Sequence, residues 1–182
     1  SQMGFKAQIA EGAKHVLGWR SPNYLYKNHP DGKMFLLLKN FQLSDDIAFR
    51  FSQHSWQGFP LTCDKFVSWL NEIENPDCIN LFMDYETFGE HQWKETGIFD
   101  FLKRLPFEVF ERSDFDFATP SDLISRYEAK DLVSSIEPMS WADEERDVTA
   151  WLGNDLQDDA FEQIYSLSEA IHQSQDEELL NV

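Results

Sequence analysis

Asp84 closes the stretch Cys78-Ile-Asn-Leu-Phe-Met83, which reads as a buried strand. Glu86 stands two residues on, and alternate residues of a strand face the same side. The strand rise then sets their backbones about 6–7 Å apart. Glu11 has the same relation to an earlier strand. It follows Ile9-Ala10 and precedes Gly12, where the backbone can turn sharply or approach a ligand closely. Three carboxylates are thus expected at one end of a sheet. Carboxyl groups crowded in one cleft differ in proton affinity, as acid/base chemistry requires. The block Asp84-x-Glu86-x-x-x-x-His91 also holds metal-ligand residue types, in no established spacing. A metal site is the competing reading of the same residues.

Those acids need a frame that brings strand ends together. A short strand is expected near 4–9, and Gly, Pro and Asn make 18–32 a loop. Lys33 to Lys39 is a continuous apolar run of strand length, which suits a parallel strand covered on both faces. Ser44-Asp-Asp46 reads as a helix start, and Thr62 as the cap of a helix whose Phe66, Trp69, Leu70 and Ile73 share a stripe. Pro76 stops that helix, and 78–83 follows as a second buried strand. Further helices are expected over Ile98 to Leu105, from Thr119 to Tyr127, and from Asn154 to about Gln173. Strands separated by helices imply parallel βα units, with functional residues at the carboxyl edge of the sheet. The class is therefore α/β. Residues 1–115 form the α/β part, and 116–182 a helical subdomain.

Composition narrows the partners. The 182 residues carry 15 Lys+Arg against 33 Asp+Glu, a net charge of −18, and no basic cluster offsets it. Duplex nucleic acid is therefore not an expected partner. The longest apolar run, Met34 to Leu38, is far short of the roughly 20 residues that span a bilayer, so no membrane partner is expected. Neutral ligands such as sugars suffer no such repulsion. Sugar rings stack on Trp, and the loop residues Trp19 and Trp141 are the best placed to offer one, with Trp151 closing the acidic stretch after Trp141. His15, His29, His54 and His172 read as structural or exposed. No Gly-x-Ser-x-Gly, paired Cys/His or phosphate-loop motif occurs. Cys63 and Cys78 lie outside any CxxC spacing and suit a reducing, cytoplasmic setting.

Three stretches together resemble a known family. Leu81-Phe-Met-Asp-Tyr-Glu-Thr-Phe-Gly-Glu-His-Gln-Trp93 is similar to the fourth conserved region of glycoside hydrolase family 57, in its α-amylase branch. Gly4 to Gly12, followed by Leu17-Gly-Trp-Arg-Ser-Pro-Asn-Tyr24, resembles the third. Ser140-Trp-Ala-Asp-Glu-Glu-Arg-Asp147, followed by Ala150-Trp-Leu-Gly-Asn154, resembles the fifth. The order is that of the family. The resemblance implies part of an incomplete seven-stranded (β/α) barrel followed by the start of a helical bundle. It implies cleavage or transfer of α-1,4-glucans with retention, with Glu11 as nucleophile and Asp84 as general acid/base. Substrate contacts would come from Trp19, Glu86, His91, Trp141, Asp143 and Trp151. The partner is then an α-glucan or maltooligosaccharide, and the chemistry requires no metal or organic cofactor. The family's His-Gln-Pro region is missing, as is its second region, so the chain reads as a fragment, expected to be inactive alone. Ala10 stands where the family leads one to expect Thr. The alternatives are a non-catalytic carbohydrate-binding relative, and a metal-dependent hydrolase using Asp84, Glu86 and His91.

Overall fold

The computed structural model describes residues 4–29 and 31–174. It divides into two compact units, Ser1–Ser134 and Ser135–Val182. The expected division at 115/116 falls within the first of them. In that unit a four-stranded sheet is formed by β1 (Ala7–Ala10), β2 (Leu25–Asn28), β3 (Phe35–Leu38) and β4 (Leu132–Val133). Its order is β1-β3-β2-β4. The helices are α1 (Lys14–Leu17), α2 (Phe41–Ala48), α3 (Cys63–Asn71), α4 (Ile98–Arg112) and α5 (Pro120–Arg126). The class is mixed α/β, with a four-stranded sheet among the described residues where part of a seven-stranded barrel is expected.

β1 and β3 are parallel, with Ala10 opposite Leu38. The sheet is not all parallel, however, because β2 runs antiparallel to β3 within the segment expected to be a loop. A local turn accounts for the hairpin. Asn28 Oδ1 accepts from the Met34 amide at 2.8 Å, and Asn28 Nδ2 donates to Asp31 Oδ1 at 2.9 Å. Gly32 takes the left-handed backbone this turn requires. Leu25 and Tyr26, only two residues of apolar signal among Pro, Asn and Ser, are nonetheless fully buried.

The expected strand 78–83 is also altered. It joins the sheet through one parallel bridge, Asn80 beside Lys39. Its neighbouring groups bond elsewhere. The Asp77 and Cys78 amides donate to the Asn23 carbonyl, the Asn80 side chain donates to the Leu38 carbonyl, and the Phe82 amide donates to Ser44 Oγ. A ladder has few groups left to use. α2 starts earlier than expected, capped by Asn40, whose Oδ1 accepts from the Leu43 amide at 3.1 Å.

The main core joins α2, α3 and α4 through Leu43, Ile47, Phe66, Leu70, Ile98 and Phe101. Full burial of Phe66 and Ile98 contributes about 1.5–3 kcal/mol each. A smaller cluster joins Leu17, Tyr26, Leu38 and Val133. The second unit holds a loop region and α6 (Asp155–Ser174), as the sequence leads one to expect. Among the described residues no helix is long and apolar enough to cross a membrane.

Candidate active site

The parallel segments end at one edge. Ala10 pairs with Leu38, so Glu11 and Lys39 are the next residues of their strands, and Lys39 in turn bridges to Asn80. Asp84 lies four residues further along its segment. Glu11 and Asp84 thus follow segments flanking β3, both at the carboxyl end. Gly12 makes this edge tight, since a Cβ there would overlap the Lys39 carbonyl oxygen.

Glu11 is enclosed, its side chain 7% exposed. Its Oε2 lies 3.4 Å from Lys39 Nζ, and its Oε1 is buried with no hydrogen-bond partner. The same ammonium stands 3.6 Å from Asp45 Oδ1 on α2. Lys39 and Asp45 were absent from the sequence-based site. The signal was present for Lys39, a charged residue ending an apolar strand run, as Asp84 does. Asp45 looked like helix-start chemistry, but it lies inside α2 and is buried.

Asp84 is exposed and begins a short turn, its carbonyl accepting from the Thr87 amide at 3.0 Å. Glu86 and His91 are brought together, with Oε1 and Nε2 3.2 Å apart. Both remain partly exposed. The loop is held from beneath by Gln92, whose Nε2 donates to the Ala48 carbonyl at 2.9 Å and whose amide donates to the Thr87 carbonyl. Gln92 and Thr87 are almost completely buried. Sequence reasoning missed both, because a buried polar anchor has no signature beyond its residue type. Among the described residues no three His, Cys, Asp or Glu side chains form a metal-ligand group. The set Asp84, Glu86 and His91 therefore does not assemble as three ligands.

Trp19 is 89% exposed and carries the Arg20 guanidinium 5.6 Å from its ring centre. A cleft of about 1200 Å³ is lined by Gly12, Asn40, Arg50, Trp56, Trp69 and Glu72 among others, and by neither Glu11 nor Asp84. The edge of the sheet, where the charged side chains gather, is the better candidate on chemical grounds.

In the second unit, Trp141 and Trp151 meet edge to face at 6.2 Å and both stay half-exposed. Asp143 organises their loop. Its Oδ1 accepts from the Arg146 amide at 3.1 Å and its Oδ2 from the Thr149 hydroxyl at 3.5 Å. Arg146, nearly buried, donates to the Trp141 carbonyl at 2.7 Å.

The profile of glycosyl hydrolase family 57 matches residues 1–136. The chain belongs to that family. It is 48% identical over 174 residues to a protein named "Putative alpha-amylase" from Methanocaldococcus jannaschii, an alignment covering 94% of this chain and 37% of that relative. The chain thus spans little more than a third of the relative's length. No solved structure matches. Family membership sets this chain among glycosyl hydrolase sequences.

Proposed function

We propose that this chain carries the catalytic pair of a retaining enzyme acting on α-1,4-glucans or maltooligosaccharides, with Glu11 as nucleophile and Asp84 as general acid/base. The observation that supports it most is an enclosed Glu11 carboxylate and an exposed Asp84 at one carboxyl edge of the sheet. Enclosure suits a nucleophile that must attack one carbon in one direction. Exposure suits a group that exchanges protons with a leaving group and then with water.

In the first step a Glu11 oxygen bonds the anomeric carbon as the glycosidic C–O bond breaks. The bonding pair goes to the leaving oxygen, which takes the Asp84 proton. In the second step water, or an acceptor sugar hydroxyl, gives its proton to Asp84 as its oxygen bonds the anomeric carbon. The ester bond breaks and its electron pair returns to Glu11. Two inversions give retention, which needs the working carboxyls about 5–5.5 Å apart; inversion needs about 6.5–9.5 Å. Glu86 and His91 together offer an acceptor and a ring nitrogen to sugar hydroxyls. Trp19, and Trp141 with Trp151, offer ring faces to sugar, with Asp143 as a polar contact.

The test uses the full reading frame that encodes this chain. Turnover of maltooligosaccharides should fall about 10²–10⁴-fold in Asp84→Asn. With an activated α-glucosyl donor and azide, Asp84→Ala should yield the α-glucosyl azide and Glu11→Ala the β-azide. Unchanged activity in either variant, or binding of glucan by the unsubstituted protein with no turnover, would overturn the reading.

A further inference from the structure

Lys39 is buried between two carboxylates, one of them the proposed nucleophile. Its side chain is 5% exposed, with Glu11 at 7% and Asp45 at 12%. The separations of 3.4 Å and 3.6 Å are nearly equal, and both exceed the length of a tight charge-assisted hydrogen bond. The ammonium is therefore shared rather than committed to Glu11. A buried charge that loses its partner is strongly unfavourable. Ester formation neutralises Glu11, so a lysine paired with Glu11 alone would be stranded in the glycosyl-enzyme. Asp45 removes that difficulty.

We propose that Lys39 is the positioning residue for Glu11, and that Asp45 is the second counter-ion that keeps Lys39 paired while Glu11 is esterified. The proposal rests on the assignment of Glu11 as nucleophile. Before attack, Lys39 fixes the Glu11 carboxylate through Oε2. As charge leaves Glu11, the ammonium settles on Asp45 and keeps its proton. When the ester breaks, it returns. Asp45 sits on α2, whose Asn40 cap follows Lys39 directly, so one short segment of chain sets the ammonium and its second partner.

The experiment measures the rate of glycosyl-enzyme formation in the full reading frame, using 5-fluoro-α-glucosyl fluoride and mass spectrometry, together with kcat and KM on maltooligosaccharides. Lys39→Met should lower kcat and the labelling rate at least 100-fold with KM changed less than threefold. Lys39→Arg should recover at least tenfold of that loss. Asp45→Asn should slow labelling at least tenfold as a folded protein, since Lys39 keeps Glu11 as a partner before attack, and it decides the matter if Lys39→Met fails to fold. Label on Glu11 at unchanged rate in Asp45→Asn, or in a folded Lys39→Met, would overturn the proposal. So would an equal loss in Lys39→Arg and Lys39→Met. Absence of label on Glu11 in the unsubstituted protein would instead overturn the assignment on which it rests.

Discussion

At the residue scale, the first consequence concerns the thiols. Burial pushes the Cys63 thiol up to about 11, and its S–H faces the Phe101 carbonyl at 3.3 Å. Burial also raises Cys78. A raised thiol is mostly protonated at pH 8, and the thiolate is the nucleophile. Native protein should therefore react with iodoacetamide much more slowly than urea-unfolded protein at that pH. Equal rates would contradict the packing of both residues. A second consequence concerns Asp46. Burial pushes its carboxyl up, while Arg50, with Nη1 at 2.6 Å, pulls it back. Because the net shift is upward, the folded state holds that proton more readily than the unfolded chain. The corresponding stability is present at low pH and lost as pH rises through the carboxylate range. Arg50→Met removes the opposing pull of a half-exposed guanidinium on the buried Asp46 and should cost about 1–2 kcal/mol at pH 7. The deficit should shrink at acid pH, where Asp46 protonates. Urea melts at the two pH values check this, and a pH-independent deficit would contradict it.

At the element scale, the segment bearing Asp84 is held by side chains more than by a ladder. Ser44 is fully buried, its hydroxyl donating to the Asn40 carbonyl at 2.7 Å while its oxygen accepts from the Phe82 amide at 3.1 Å. Ser44→Ala leaves that amide unpaired and should destabilise the fold by about 1–3 kcal/mol, a loss that thermal melts will show. Turnover should fall with it, because Asp84 is two residues from Phe82. Gly12→Ala places a methyl against the Lys39 carbonyl and should cost about 1–3 kcal/mol by forcing β1 and β3 apart. α3 and α4 were legible because each carries a periodic apolar stripe; Phe66, Leu70 and Phe101 face the core as that spacing requires. β2 was not, because its turn depends on Asn28 and Gly32 rather than on apolar alternation. The segment 78–83 does not form the expected strand because Asn23 and Ser44 intercept its backbone amides, and no local pattern announces partners so distant in sequence. Within the site, Glu11 and Asp84 stood out by following apolar runs. Lys39 carried the same signal, ending the apolar run 34–38; Asp45 and Gln92 carried none, because their roles depend on residues from other elements.

At the scale of the whole molecule, β1 lies at the edge of the sheet, with Ile9 and Phe5 substantially exposed. Among the described residues no strand covers its outer side. Such an edge promotes self-association. The 182-residue polypeptide expressed alone should therefore sediment as aggregates or oligomers and show no glucan turnover. A monomer with full turnover would refute this. The central claim is that Glu11 becomes the glycosyl ester. It is tested most directly by treating the full reading frame with 5-fluoro-α-glucosyl fluoride and sequencing the labelled peptide. The mass of one fluoroglucosyl group on Glu11 is the predicted result; label on a different side chain, or inactivation with no covalent label, would contradict it.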